Sequence, residues 1–278
     1  MGRKIGYKIF LYTTAIFILV TILFPILWIF LTSFKSESEL STFPPVLWPS
    51  QFNFNNYIEV LIESKYGVFA INSLIIGIAA TTLVLILAVL SAYGYSKFFR
   101  FKEQKLSLVA VLIARMAPPI AIVVPLYQVV QRLGLYDTKI ALILIYSAVA
   151  YPLATWLLKT FFDDIPESVV ESAIIDGCSK LQVLIKIILP LSTPALASTV
   201  TITFLTVWNR FLIALTFSAT TNSKTLPVAI SALSHAEYGV QWGNLSAISI
   251  VTVIPVFLIG LGAQKYLTAG LTAGAEKY

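Results

Sequence analysis

Between Glu171 and Pro194 the chain reads Glu-Ser-Ala-Ile-Ile-Asp-Gly-Cys and then, past Leu184 and Ile187, Leu189-Pro190 and Pro194. Two carboxylates, Glu171 and Asp176, stand among small and apolar residues beside a glycine, a set suited to docking rather than to making bonds. The adjacent pair Asp163-Asp164 lies at a predicted helix start with no nucleophile or base beside it. Asp164 is expected to cap that helix, with Pro166 in its first turn and Glu167 reaching back as in a capping box. Val169, Val170, Ala173 and Ile174 share one face at helical spacing. Gly177 suits the left-handed residue that ends a helix. Ser179 then caps a second helix carrying Val183, Leu184, Ile187 and Ile188. A pair of short amphipathic helices around a glycine has two readings. It is a knob that enters a groove on a soluble partner, or a hairpin lying on lipid headgroups with Lys180 and Lys186 towards anionic lipid.

The elements that position this cassette are apolar spans. The 278-residue chain is 58% hydrophobic and 12% charged, against roughly 25% charged in soluble domains, and its charges cluster between long uncharged windows. Those windows are 9–34, 66–96, 140–158, 187–209 and 238–264, with a sixth at 106–130 interrupted by Arg115. A membrane helix needs about 20 residues. Windows this long and continuous exclude the alternating strands of a barrel. The expectation is an all-α membrane protein with six transmembrane helices. Window 9–34 is longer than a leader's apolar region of roughly 7–15 residues, so it reads as a retained first span.

The net charge of +6 comes from basic residues at span ends, which fits orientation in a bilayer rather than nucleic-acid binding. Basic residues cluster at Arg3-Lys4-Lys8, Lys97–Lys105, Lys159 and Lys180–Lys186, on one side of the predicted spans. Lys35, Lys65, Arg132, Lys139 and Lys224 are scattered on the other. This asymmetry places both termini and the cassette in the cytoplasm. With one cysteine (Cys178) and one histidine (His235), neither a disulfide nor a protein-built metal site is expected.

Outside the cassette, residues 36–65 carry Phe43-Pro44-Pro45, Trp48-Pro49 and Phe52–Tyr57, which suggests an ordered interfacial layer. Loop 218–246 holds His235, Tyr238 and Trp242. Trp208, Asn209 and Arg210 fit either a polar passage, with tryptophan for sugar rings and donors for hydroxyls, or an interfacial anchor. Arg115 fits snorkelling to the interface or an inter-subunit contact. Prolines 118, 119, 125, 152, 194 and 255 sit in or at the ends of spans, where they kink helices.

These residues resemble a known family. The run Glu171-Ser172-Ala173, Asp176-Gly177-Cys178, Leu189-Pro190 and Pro194 is similar to the EAA loop of ABC importer permeases. Ser172 and Cys178 stand where alanine is usual, and Leu184 where phenylalanine is common. Phe43-Pro44-Pro45, Asn56-Tyr57, Pro118-Pro119, Pro125-Leu126-Tyr127, Leu133–Thr138 and the tail Gly270–Ala275 resemble the maltose-type carbohydrate permeases, most of all the shorter, MalG-like subunit. The chain departs from that pattern at Arg210, where an acidic residue is common, and at the tail's end, Glu276-Lys277-Tyr278.

The resemblance implies a type I ABC importer permease fold. Residues 1–65 form the first helix and outer segment, 66–264 a five-helix core with a coupling loop at 163–190, and 265–278 a cytoplasmic tail. It implies that Glu171, Ala173, Asp176, Gly177, Leu189 and Pro190 dock on an ATPase subunit, and that Leu271, Thr272 and Gly274 reach the ATPase dimer. The implied partners are a second permease, two ATPase subunits and an extracytoplasmic substrate-binding protein. No phosphate-binding glycine loop is present in the chain. It is therefore expected to be non-catalytic and to bind no cofactor, with ATP and Mg held by the partners. The expected cargo is a mono- or oligosaccharide of the maltose/trehalose class, with glycerol phosphate or another polyol as the alternative. A stand-alone secondary transporter is a different class, and it finds no midspan acid and no internal repeat here.

Overall fold

The computed structural model describes residues 2–98, 109–110, 113, 118–234 and 239–273, with side chains described outside 2–6, 119 and 265–273. All regular structure among the described residues is helical. In chain order the helices are α1 (Gly2–Thr32), α2 (Glu37–Leu40), α3 (Asn55–Ile58), α4 (Tyr66–Tyr93), α5 (Pro119–Arg132), α6 (Lys139–Asp163) and α7 (Glu167–Ile175). They continue with α8 (Lys180–Val183), α9 (Leu189–Leu191), α10 (Thr193–Trp208), α11 (Phe211–Phe217), α12 (Leu226–Ser234) and α13 (Trp242–Ala273). Wider π-helical turns follow α3 at Glu59–Glu63, α4 at Gly94–Phe98 and α8 at Leu184–Ile188.

Four helical stretches are long and apolar enough to cross a membrane: Tyr7–Thr32, Tyr66–Phe98, Lys139–Asp163 and Trp242–Gln264. A fifth forms if Lys180–Leu191 and Thr193–Trp208, bent by 82°, count as one span. The expected span 187–209 is thus broken at Ser192. Leu189 N–H reaches back to Leu184 O, Pro190 next to it has no N–H to give, and the chain turns at Ser192 before α10 starts with Pro194 in its first turn. The expected span 106–130 is described only from residue 118 onward apart from 109–110 and 113. There α5 has 14 residues, and Arg115 lies outside the described residues.

The chain divides into two compact units. In the larger, residues 69–228 and from 255 onward, Ala80, Val84, Ala88 and Ala92 recur every helical turn on α4 and are fully buried. Small side chains let membrane helices approach closely. Gly77 extends that line: a β-carbon there would stand 3.1 Å from the ring of Phe204 and 3.4 Å from that of Trp208. From α6 come Ala141, Leu142, Ile145, Ala150, Ala154, Leu158 and Phe162. Ser147 Oγ donates to Ala80 O (3.3 Å) and the Tyr151 hydroxyl to Ser91 Oγ (2.8 Å), so α4 and α6 run side by side in the same direction.

The smaller unit, residues up to 68 and 229–254, bears out an ordered segment after α1. The Phe34 ring lies 5.1–5.4 Å from those of Phe30, Phe52, Phe54 and Tyr57. Lys35 is buried, donates to Val46 O (2.5 Å) and lies 4.5 Å over the Trp28 ring. Burial pushes its amine below the usual lysine range, and Glu39 opposes that. Glu39 itself takes bonds from Ser50 and Ser36, which hold its carboxyl at about 2. Asn56 donates to Ser33 O (2.9 Å) and Lys35 O (3.0 Å).

Gly243 faces that amide. A β-carbon there would fall 2.7–2.9 Å from the Asn56 side-chain atoms, which two hydrogen bonds hold in place. Gly243→Ala should destabilise the detergent-solubilised protein by about 1–3 kcal/mol, the range for a disrupted buried hydrogen-bonded site. In a thermal-unfolding double-mutant cycle it should add little on top of Asn56→Ala.

Candidate functional site

The cassette is a helical reversal with a dry underside. Asp164 does not cap α7; it closes α6, giving its N–H to Phe162 O, and Pro166 stands just before α7 instead of inside its first turn. The physical reason is the proline ring. It excludes helical backbone at Ile165, so α6 has to stop and α7 has to restart at Glu167, whose charge suits a helix N-terminus. At the other end Gly177 takes φ +87°. Cys178 N–H bonds Ala173 O (2.9 Å) and Gly177 N–H bonds Ile174 O (3.0 Å), the paired bonds of a Schellman turn. Ser179 caps α8 as expected, through a capping box with Gln182.

Burial decides which side faces out. Val170, Ala173, Val183, Leu184 and Ile188 are buried in the same cluster as Leu158 and Phe162 of α6. The expected face of α7 is thus split. Val170 and Ala173 point in, whereas Ile174 is 46% and Ile175 84% exposed, because the packing against α8 and its π-turn selects the 170/173 line. Glu171, Asp176 and Gly177 are exposed beside Ile174, Ile175 and Leu181, while Leu189 is half-buried and Pro190 exposed. Glu171, Asp176 and Gly177 are therefore brought together on one projection that Ala173 supports from beneath, whereas Leu189 and Pro190 lie beyond the π-turn at the start of α9, with Leu189 packed against the core.

Two tethers that the sequence did not reveal join this projection to α4. The Tyr93 hydroxyl donates to Lys180 O (2.9 Å) and Lys97 Nζ to Ile165 O (2.6 Å). In sequence Lys97 reads only as an orienting charge, and Tyr93 sits unmarked in the uncharged window 66–96. Carbonyl acceptors leave no side-chain pattern to detect.

The opposite end of the bundle is clasped by Asp137, inside the Leu133–Thr138 run. Gly134 (φ +66°) closes α5 and Asp137 itself has φ +57°, which aspartate tolerates better than most residues. Its carboxylate accepts from Ala219 N–H (2.9 Å), Thr220 N–H (3.1 Å), the Thr220 hydroxyl (2.5 Å) and the Ser223 hydroxyl (2.6 Å). Thr138 caps α6. Desolvation pushes the Asp137 carboxyl up, but the Ser223 and Thr220 bonds and the two N–H groups outweigh it and hold it at about 2.

Trp208, Asn209 and Arg210 do not act as one cluster. Trp208 is buried and stacked on Phe204 (5.3 Å). Asn209 is exposed and returns its amide to Leu205 O (3.0 Å). Arg210 lies in the break between α10 and α11, where its carbonyl accepts from the Tyr146 hydroxyl (2.8 Å). It borders an aliphatic cleft of about 510 Å³ lined by α5, α6 and α11. Leu271 and Thr272 continue the backbone of α13, and Gly274 lies outside the described residues, as does His235.

A helical bundle with such a projection is compared with known proteins through its core. Residues 85–272, cassette included, match the family model "Binding-protein-dependent transport system inner membrane component". The chain belongs to that family. Among the permeases it is similar to is the trehalose/maltose transport system permease protein MalG of Thermococcus litoralis, 34% identical over 100% of this chain and 99% of the relative. Another is the sulfoquinovosyl glycerol transport system permease protein SmoH of Agrobacterium fabrum, 32% identical over 96% and 93%. The fold is shared with a solved bacterial ABC transporter involved in the import of the acidic polysaccharide alginate, with TM-score 0.80, 24% identity and coverage of 94% of this chain and 98% of that one. The resemblance to carbohydrate importer permeases is borne out, and the protein is an inner-membrane permease component of ABC type.

The Asp137 clasp gives this permease a pH signature. Its folded carboxyl titrates below the ordinary value of 3.8, so its contribution is fully present above pH ~4 and is lost as pH falls towards 2. Asp137→Ala should cost about 2 kcal/mol, as for lost charge-assisted hydrogen bonds, and should flatten that part of the acid limb. Unfolding midpoints of both proteins between pH 7 and pH 2 check this.

Proposed function

We propose that the chain is one of two permease subunits of an ATP-driven, binding-protein-dependent sugar importer, oriented with both termini in the cytoplasm. The observation that carries this is the projection itself. Glu171, Asp176, Ile174, Ile175 and Leu181 are exposed on a rigid reversal whose underside is buried in the bundle. An apolar ridge flanked by carboxylates suits a groove with basic rims on a folded partner. Headgroups of a bilayer surface would instead favour a basic polar face.

In this reading Glu171 makes the acidic contact to an ATPase subunit, and Gly177 shapes the knob. ATP and Mg bind in those partner subunits, and this chain contributes no catalytic group. ATP-driven closure of the ATPase pair draws the knobs together, and the spans open the path towards the binding protein on the far side. Leu271, Thr272 and Gly274 are the tail residues assigned to contact with the ATPase dimer. Of Trp208, Asn209 and Arg210, the path is assigned to Asn209 and Arg210, with Trp208 buried against Phe204. The cargo is a mono- or oligosaccharide. Relatives of similar identity carry names as different as trehalose/maltose and diacetylchitobiose permeases, so the specificity resides largely in the binding protein.

Two substitutions test the assignment. Glu171→Lys reverses the docking charge, and Gly177→Pro forces φ near −65° where the turn needs +87°. Each should lower binding-protein-dependent uptake in proteoliposomes by at least roughly tenfold, the scale of a broken interfacial charge pair, while membrane insertion stays normal. Wild-type uptake in both variants would remove the coupling role.

A further inference from the structure

The two tethers beneath the knob share a pattern. One acceptor, Ile165 O, lies just before α7, and the other, Lys180 O, lies just after the Gly177 turn. They therefore grip the knob on both flanks of its exposed helix. Both donors come from one short stretch of α4: Tyr93 is its last residue, and Lys97 sits in the π-turn Gly94–Phe98. Tyr93 is 6% exposed. Its ring meets Phe98 edge-on at 4.9 Å, and Lys180 Nζ lies 4.4 Å over that same Phe98 ring. Asp163, Asp164 and Glu167 are the electrostatic neighbours of Lys97.

The knob also follows α6 directly through Ile165-Pro166, with Val170 and Ala173 packed in the cluster of Leu158 and Phe162, and its exit towards α10 is of a different kind. It leaves through the π-turn Leu184–Ile188 and the 82° bend at Ser192. Sharp bends are where helices yield, and among the described residues only this route has one, so a push on the knob is softened there. On the α4 side it meets two hydrogen bonds, an aromatic pair and a cation over a ring.

We infer that Tyr93 and Lys97 are positioning residues that make α4 the lever of transport: a displacement of the knob passes to α4 through the Lys180 and Ile165 carbonyls. This rests on the reading of the knob as the ATPase-docking element. A merely structural role predicts that losing a tether weakens folding or docking. A transmission role predicts intact docking with lost coupling.

The test uses the complete complex in proteoliposomes with its ATPase subunits, partner permease and binding protein, and measures sugar imported per ATP hydrolysed. Tyr93→Phe and Lys97→Met should keep the ATPase subunits bound and hydrolysis near wild type, while the import-to-hydrolysis ratio falls about fivefold for each, as for one net hydrogen bond. Lys97→Arg, which still offers a donor to Ile165 O, should restore most of the ratio. A wild-type ratio in both variants, or loss of the ATPase subunits from both, overturns the inference.

A second measurement needs no tether variant. Spin labels at Ser168→Cys on α7 and Leu90→Cys on α4, both exposed positions, in a Cys178→Ser background, should keep one separation between the nucleotide-free and ATP-bound complex. A separation that changes with nucleotide overturns the lever. A wild-type complex that neither retains ATPase subunits nor imports sugar would instead remove the underlying functional reading.

Discussion

The cassette stands proud of the bundle because of what lies under it. The α7 line Val170/Ala173 and the returning line Val183/Leu184/Ile188 enter the same core as Phe162 and Leu158. They can do so only if the chain reverses within a few residues. Gly177 makes that reversal without a β-carbon penalty, which for another residue type would be about 1–2 kcal/mol. With the apolar line committed inward, the next positions round the helix, Ile174 and Ile175, have nowhere to go but out. The exposed isoleucines are thus a consequence of the packing. They leave a ridge of apolar surface next to carboxylates, which is what a docking element needs.

Polar groups are distributed in a way that supports this division. Within the spans, some threonine hydroxyls return to the carbonyl four residues back, as Thr201 does to Ala197, Thr206 to Ile202 and Thr252 to Ile248. Such bonds satisfy a hydroxyl without tying one helix to another. Several bonds linking distant parts of the larger unit lie towards its two ends. At one, Asp137 holds 219–223, and Asn72 holds Thr221 O and Lys224 O. At the other are the Tyr93 and Lys97 tethers. Between them the buried line Ala80, Val84, Ala88 and Ala92 forms an apolar seam, pinned by the Ser147–Ala80, Tyr151–Ser91 and Tyr146–Arg210 hydrogen bonds. Links at both ends and along the middle suit a body that moves as a unit.

Much of this was legible in the residues. The uncharged windows located α1, α4, α6 and α13, because length and hydropathy are all that a straight span requires. The Gly177 turn and the Ser179 cap were readable because local backbone chemistry demands those residue types. The break at Ser192 was hidden: Pro190 and Pro194 signal a disturbance, but the direction of the chain after it depends on what α10 packs against. The phase of α7 was misjudged for a related reason. Val169, Val170, Ala173 and Ile174 fit two overlapping faces, and only the partner surface at Val183 and Leu184 chooses between them. Asp137 looked like a turn residue, since nothing in sequence links it to a hydroxyl cluster more than eighty positions away.

The interruption at Asn209 and Arg210 follows from the same physics. Stopping a helix at membrane depth frees carbonyls that lipid cannot satisfy, so irregular backbone survives there only when it is buried in protein or borders a cavity. Here the repairs are specific. The Asn209 amide returns to Leu205 O, Arg210 Nε reaches Thr206 O (3.3 Å), and the Tyr146 hydroxyl supplies Arg210 O. Each repair uses a side chain that a continuous helix would not require, and together they keep α11 turned away from the line of α10. The result places Arg210 at the edge of the aliphatic cleft, while Trp208 is buried against Phe204. The reason these three residues stand in sequence is thus first to end a helix safely. Any contact with cargo uses the geometry that this ending creates.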